Sequence, residues 1–307
     1  MIKIFISSLL LLLIAAYINA QELIVSKIVI SGNNKTKTKI IFRELEFKLG
    51  DTLSQENYLL KKKKSSENLM NISLFNFVTI SDTIVNGNNL NINVDVVERW
   101  YIWPIPVFDI ADRNFNTWWK TKDFERVNYG IDVMIYNFRG RNETVDFLFS
   151  LGYDEKYGIG YKIPYINKKQ TLGLFFKTEY SQNHEVAVKT VNDKVQFYKD
   201  NNSYPMLKVS FSSGILLRPD IHHSHTFELS YDKFKFHDTL LAINPDYTTS
   251  NLTDNNFLSF YYQYKSDYRD YKPYPLRGYY FDFEITKEGL GVLKNEEADY
   301  LIFKATY

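Results

Sequence analysis

The sequence predicts two structural parts: a small α+β module with the element order β-α-α-β-β, followed by an antiparallel transmembrane β-barrel. Three observations predict this fold class. They are an apolar leader at residues 1–20, mixed helical and strand periodicity at residues 22–99, and a two-residue alternation at residues 100–307. The alternation is clearest in NETVDFLFSLGY, residues 142–153. A secreted chain with many strands that are apolar on one face and mostly polar on the other is typical of a barrel whose apolar face meets lipid.

Residues 1–20 read as a secretory signal peptide. Lys3 gives a positive start, an apolar run extends from Ile4 to Ala16, and the small residue Ala20 precedes the expected cleavage before Gln21. A buried N-terminal helix is the alternative. The chain has no cysteine, which excludes a lipid-anchor cysteine and a disulfide framework. No other apolar run approaches the length of a spanning helix, so a membrane crossing would require closed strands.

The composition agrees with a barrel and excludes one class of partner. Aromatic residues make up 17% of the chain, with 24 Tyr and 23 Phe. The mean hydropathy of −0.31 is that of a soluble protein, but barrels mix their apolar residues with polar ones and rarely score as hydrophobic. The net charge of +1 gives no reason to expect nucleic acid as a partner.

Residues 22–99 contain the signals of the α+β module. The first strand, ELIVSKIVIS, ends at a Gly32-Asn33-Asn34 turn, and Thr36 is the expected cap of a first helix. Ser54 is the expected start of a second helix. Two strands follow, joined by an Asn-Gly turn at residues 86–89. The expected apolar positions of the second helix are Leu59, Leu60, Leu69 and Ile72.

This module resembles a POTRA (polypeptide-transport-associated) domain. The resemblance is carried by ISGN at residues 30–33, TKIIFREL at 38–45, FKLGD at 47–51, LMNISLFNFV at 69–78 and VDVVER at 94–99. Several dispersed elements in the right order make the match specific, although it covers about a quarter of the chain.

All four tryptophans of the chain lie between residues 100 and 119, where the module meets the first expected strand. Trp and Tyr favour the interface between membrane and water, so this stretch predicts a membrane-anchoring belt; a packed aromatic core is the alternative. The expected anchors are Trp100, Tyr101, Trp103, Trp118 and Trp119.

The alternation predicts about ten strands in residues 100–307, beginning with 127–137 and including 194–199. The expected lipid-facing residues include Val145, Phe147, Phe149, Leu151, Phe281 and Phe283. The expected lumen-facing charges are Asp132, Glu179, Lys208, Glu228, Asp282 and Glu284. A soluble sandwich would show the same alternation, so the leader and the preceding module favour the barrel. The last segment, ADYLIFKATY, stops within the pattern, which predicts an incomplete barrel; a complete small barrel ending at Tyr307 is the alternative.

The second part also resembles a known family, the outer-membrane protein assembly factors of the BamA/TamA-like surface antigen type. The matching segments are RWYIWPIPVFDIADRNFN at 99–116, YNFRGRNE at 136–143 and YPLRGYYFDFE at 274–284. The chain departs from the family in having one POTRA-like unit, fewer strands and no later R-G-F motif.

The resemblance implies insertion, assembly or translocation of other proteins at the outer membrane of a Gram-negative bacterium, with the N-terminal domain in the periplasm. The implied partners are the lipid bilayer, unfolded outer-membrane or exported proteins, and accessory periplasmic proteins or lipoproteins. A sheet edge could bind an extended client by strand addition. We expect that edge at Ser26, Ile28 and Ile30 or at Phe77 and Thr79. A passive pore or receptor barrel with a periplasmic docking module is the alternative.

No residue pattern predicts catalysis or a cofactor. His223 and His225 would share a face of a strand, but no third ligand accompanies them, so a strand-end position without metal is expected. Gly158-Ile159-Gly160 lacks the third glycine of a phosphate-binding loop. We expect no enzyme activity.

Overall fold

The computed structural model describes residues 22–111, 115–122, 124–200, 202–248, 252–293, 296 and 298–307. The expected signal peptide lies outside these residues. The chain divides into two compact units, with the boundary between Arg99 and Trp100. Within the described ranges, every helix is too short or too polar to cross a bilayer.

The first unit is a four-stranded mixed sheet with helices. Its elements are β1 (Glu22–Ser31), α1 (Thr38–Arg43), β2 (Thr52–Ser54), α2 (Gln55–Asn71), β3 (Phe75–Val85) and β4 (Asn89–Glu98). The strand order is β2-β1-β4-β3. Strands β1 and β4 run parallel, and the other two pairs are antiparallel. The short strand β2 is the one element of this unit that the sequence pattern did not predict.

The central strand β4 supplies the core of this unit. Leu90, Ile92 and Val94 are fully buried, and the residues between them are not, as the two-residue period of a strand requires. Ile41 of α1 and Leu69 of α2 are also fully buried.

The expected apolar face of α2 is wrong in part. Leu59 and Leu60 are 54% and 57% exposed, whereas Ser65 and Asn68 are buried together with Leu69. The polar residues lie inward because they make hydrogen bonds with backbone groups of the residues that follow α1. Ser65 Oγ accepts a hydrogen bond from the Glu46 N–H at 2.8 Å. Asn68 Nδ2 donates to the Glu44 carbonyl at 3.2 Å.

Thr36 does not cap α1, because Lys37 occupies the N-cap position. The Thr36 side chain is buried, and its backbone N–H donates to Glu98 Oε1 at 2.6 Å. The preceding turn needs glycine at residue 32, where φ is +80° and a Cβ atom would lie 1.9 Å from the Val96 carbonyl oxygen.

The second unit is a ten-stranded antiparallel sheet in which every strand pairs with its neighbours along the chain, apart from one inserted hairpin. Its strands are β5 (Ile102–Ile110), β6 (Val127–Phe138), β7 (Glu143–Gly152), β8 (Asp154–Ile163), β9 (Leu172–Asn183), β12 (Met206–Leu217), β13 (His223–Phe236), β14 (Asp254–Asp267), β15 (Tyr280–Glu288) and β16 (Tyr300–Thr306). The inserted hairpin consists of β10 (Glu185–Val191) and β11 (Lys194–Lys199). The helices are α3 (Phe115–Thr121) between β5 and β6, and α4 (Asp238–Ile243) between β13 and β14.

The sheet contains ten strands, but their identity differs from the prediction in two places. Residues 194–199 form β11 of the separate hairpin and do not join the large sheet. The first strand is β5, within the stretch that was interpreted as an aromatic belt. The sequence pattern did not predict this strand because proline is unfavourable within strands, and β5 contains both Pro104 and Pro106.

The described residues of the two segments that follow β9 and β13 pack against each other. The inserted hairpin and α4 share a small core in which Leu240 is fully buried against Val186 and Val188. Asn244 Nδ2 donates to the Val188 carbonyl at 2.8 Å, and Phe236 contacts Tyr247 edge to face.

The large sheet has one apolar face and one polar face. Cross-strand partners keep the alternation in register: Ile131 lies opposite Phe149, and Val133 lies opposite Phe147. The alternate residues of the sheet's strands form the polar face. It carries the Lys208–Asp232 ion pair at 3.0 Å and a hydrogen bond of 2.6 Å from Gln263 Nε2 to Glu284 Oε1.

We expect Leu69→Ala to lower the free energy of unfolding of the first unit by about 2–5 kcal/mol, because it leaves a cavity beneath α2. Leu60→Ala on the same helix is the matched control. With the side chain 57% exposed, its effect should stay within about 0.5 kcal/mol. Native-state hydrogen exchange of the β4 amides in the full chain measures both. Equal effects would contradict the observed packing of α2.

We expect Phe149→Arg to destabilise the second unit in a bilayer by about 2–4 kcal/mol, because it places a charge on the expected lipid face. Leu148→Arg, one residue away on the polar face, is the control and should cost much less. Urea titration of folding into phospholipid vesicles, followed by heat-modifiable gel mobility, measures the difference. A larger cost at Leu148 would reverse the assignment of the two faces.

Candidate functional site at the sheet edges

Strand β3 forms an edge of the first sheet, since β4 is its single strand partner in the described part of the chain. The pairing of β4 shows which backbone groups of β3 point toward β4 and which point away from it. The Asn88 carbonyl accepts from the Ile24 N–H at 2.9 Å, so the even-numbered residues of β4 face β1 and the odd-numbered ones face β3. In register, Phe77 lies opposite Val97 and Thr79 opposite Asp95. The odd-numbered residues of β3 therefore bond to β4.

The free side of β3 is an unbroken series of donors and acceptors. The backbone groups of the even-numbered residues point outward, and none of these residues is proline, so each offers one N–H and one C=O. They are Val78, Ile80, Asp82 and Ile84.

Side chains beside this edge differ between the two sheet faces. On the helix face, Ile80 is buried under α2, and Asp82 forms an ion pair with Lys62 of that helix. Burial raises the pKa of the nearby Tyr58 phenol, and Asp82 raises it further. On the open face, Phe77 is 69% exposed.

The sequence-predicted edge residues lie on two different strands. Phe77 and Thr79 are on the edge strand β3. Ser26, Ile28 and Ile30 are on β1, which lies between β2 and β4. Because β2 pairs with only the first three residues of β1, these positions lie beyond the end of that pairing. A role of either set in client binding stays a prediction.

Strand β5 forms one edge of the large sheet, and its backbone direction is defined at both ends. The Tyr101 carbonyl accepts from the Tyr136 N–H at 2.7 Å, and the Ala111 N–H donates to the Arg126 carbonyl at 2.9 Å. The register between the two strands is unbroken, so the odd-numbered residues of β5 bond to β6 and the even-numbered ones point away.

The free side of β5 is short of donors. Five residues point their backbone away from β6, and two of them are prolines without an N–H, so this side of β5 carries five carbonyls and three N–H groups. The Ile102 carbonyl already accepts a hydrogen bond from Trp100 Nε1 and is not open to an added strand. The five residues are Ile102, Pro104, Pro106, Phe108 and Ile110. Sequence reasoning missed this property, although the W-P-I-P segment carries the signal.

The expected aromatic anchors form two groups, at opposite ends of β5. Trp100, Tyr101 and Trp103 lie at its start, and Trp118 and Trp119 lie in α3 after its end. The nine residues of β5 span about 30 Å, or about 23 Å along the membrane normal at a tilt of about 40°. This separation matches the apolar band of a membrane barrel, which is flanked by aromatic girdles. Anchoring by these residues stays a prediction.

The expected lipid-facing residues all lie on the apolar face of the large sheet. Phe147 and Phe149 are 42% and 46% exposed. The others are half-buried by their neighbours, namely Val145, Leu151, Phe281 and Phe283. Lipid contact by this face stays a prediction.

The turn between β6 and β7 is organised around a buried carboxylate. Glu143 is fully buried and lies 2.9 Å from Arg139 Nε and 3.2 Å from Arg141 Nε. Tyr161 Oη donates to the same carboxylate at 3.1 Å. This arrangement holds the turn and leaves Glu143 without access to a substrate.

The histidine cluster lacks a metal-binding arrangement. His223 lies 2.8 Å from Asp220, and His225 Nδ1 lies 3.0 Å from the hydroxyl of Tyr262. No group of three metal-ligating side chains occurs among the residues with described positions.

Comparison with known proteins agrees with this architecture. The POTRA family model, described as a surface antigen variable number repeat, matches residues 23–99. The Omp85 superfamily domain matches residues 137–306. No protein of curated function matches the sequence.

Solved structures extend the likeness to the fold. BamA from Haemophilus ducreyi lacking POTRA domains 1–3 superposes with a TM-score of 0.52 at 14% identity, covering 92% of this chain and 51% of that chain. CdiB from Acinetobacter baumannii gives a TM-score of 0.43 at 15% identity over 93% and 48% of the two chains. CdiB from Escherichia coli gives 0.48 at 10% over 91% and 47%. The chain thus spans about half the length of these structures.

The domain models and the fold shared with BamA confirm the predicted fold class and family resemblance. The second match alone covers more than half of the chain, and it spans the strands of the large sheet from β7 to β16. This protein belongs to the Omp85 superfamily.

Proposed function

We propose that this protein inserts or translocates other proteins at the outer membrane of a Gram-negative bacterium, by pairing their extended segments with its own sheet edges. Omp85 membership supports protein insertion or secretion at that membrane as the general role. In this proposal, the second unit spans the outer membrane and the first unit lies in the periplasm.

The free edge of β3 is the observation that carries the proposal. Its four outward-facing residues offer both a donor and an acceptor, so an added strand can continue the sheet through main-chain hydrogen bonds. Main-chain pairing makes little demand on sequence, which suits a protein that handles many clients.

The side chains beside β3 add a modest preference. Phe77 and its cross-strand partner Val97 are 69% and 48% exposed on the open face. A client strand added beside β3 would bury apolar side chains against Phe77 on that face. Alternating client strands, such as those of unfolded barrel proteins, have apolar residues at the required spacing.

Strand pairing needs no nucleotide, metal or chemical step, so we propose a function without catalysis. The free energy comes from hydrogen bonds and apolar burial that the unfolded client lacks. Accessory periplasmic proteins or lipoproteins would act by delivering clients to this edge.

Loss of the protein is expected to lower the amounts of client barrel proteins in the outer membrane, because their strands lose the edge on which they assemble. Quantitative proteomics of outer-membrane fractions after depletion measures this effect. Unchanged client levels, together with lost conductance to small solutes, would instead favour a passive pore with a docking module.

A photocrosslinker at Thr79 is expected to capture unfolded barrel clients. Val78→Pro should lower this capture by about fivefold, since it removes one outward-facing donor worth about 1 kcal/mol and leaves the ladder to β4 intact. Quantified crosslinking in the full chain measures the change.

The matched control is Val78→Ala, which truncates the same side chain and keeps the N–H. A second crosslinker at Ser26 tests the alternative edge on β1. Absence of client crosslinks at both positions would rule out binding at the edges of the first unit.

A further inference from the structure

The free edge of β5 differs from that of β3 in one chemical respect. On β3 the four outward-facing residues all carry an N–H, whereas on β5 two consecutive outward-facing residues, Pro104 and Pro106, carry none. Both prolines lie within an unbroken register with β6, opposite Val133 and Ile131. The ladder to β6 is therefore complete, and the deficit falls wholly on the free side.

The position of β5 indicates what kind of partner this edge takes. The side chains of Ile102 and Phe108 lie on the apolar face of the sheet, because these residues are in register with Ile135 and Tyr129. The strand has nine residues, the length of a membrane-crossing strand. Backbone carbonyls at that depth cannot be hydrated, so they require N–H donors from another strand. The occupant is a transmembrane strand, and under the proposed function it is a strand of the client.

An antiparallel strand added to β5 would pair unevenly. Opposite Phe108 and Ile110 it would exchange two hydrogen bonds at each pair. Opposite Ile102 it would receive one bond only, because the Ile102 carbonyl already accepts from Trp100 Nε1. Opposite Pro104 and Pro106 it would donate one bond at each pair and receive none. Two consecutive carbonyls of the added strand would remain without a donor at bilayer depth.

We propose that Pro104 and Pro106 make client pairing at β5 transient, so that a client strand is released once another strand offers its carbonyls a full set of donors. This inference rests on the proposed function and specifies how a client strand dissociates from the β5 edge. The deficit lies on the protein and not on the client, so release needs no sequence signal from the client. The β3 edge, which lacks the deficit, is expected to hold extended segments longer.

The test is the lifetime of the client complex in the full chain, reconstituted in phospholipid vesicles. A photocrosslinker at Ile105, a residue of β5 that is 44% exposed, captures the adjacent strand during a pulse and chase with an unfolded barrel protein. Pro104→Ala/Pro106→Ala restores both donors without touching the ladder to β6. The complex is expected to live about 25-fold longer, taking about fivefold for each restored hydrogen bond.

The matched control is Pro273→Ala/Pro275→Ala in the connection between β14 and β15, which adds two N–H groups outside the sheet. Its complex lifetime should equal that of the unmodified chain. Heat-modifiable gel mobility verifies that each variant is folded.

Equal lifetimes for the β5 variant and the unmodified chain would overturn the inference. So would crosslinks from Ile105 to another part of this same protein, which would show that its own strand covers the edge. Client crosslinks at Thr79 without any at Ile105 would overturn the inference and leave the proposed function standing. Absence of client crosslinks at both positions would remove the proposed function as well.

Discussion

The structure depends on one constraint: every backbone N–H and C=O of a strand needs a partner, and a strand at the edge of a sheet has a partner on one side only. In water the free side can be hydrated, but at bilayer depth it cannot. Within the described residues, the edge strands of the first sheet are β2 and β3, and those of the large sheet are β5 and β16. The proposed function uses two of them, β3 and β5.

The two edges manage that constraint differently. On β3, donors and acceptors alternate without interruption beside an exposed Phe77, which makes it a competent template for an extended chain. On β5, Pro104 and Pro106 remove consecutive donors, one of the recognised ways in which sheets limit strand addition. Two carboxylates organise turns away from these edges: Glu98 accepts from the Thr36 N–H before α1, and Glu143 pairs with Arg139 in the turn after β6.

Much of the architecture was readable from local patterns. The two-residue alternation placed Phe147 and Phe149 on one face and Asp132 on the other, because that period is a local property of any strand. Reasoning from pattern failed where tertiary contacts override it. Ser65 and Asn68 lie inward on α2, since they satisfy backbone groups near α1, and Leu60 is left exposed.

By itself, the sequence determined the β-α-α-β-β order of the main elements in the first unit, the apolar and polar faces of the strands, and the family resemblance, since each rests on residue spacing along the chain. Only the tertiary structure decided that β3 and β5 are edges, that residues 194–199 leave the large sheet, and that the tryptophans separate to the two ends of β5. The physical reason is that strand pairing is non-local. Whether the missing N–H of Pro104 weakens a ladder or an open edge depends on which neighbour it faces, and no spacing within the strand specifies that neighbour.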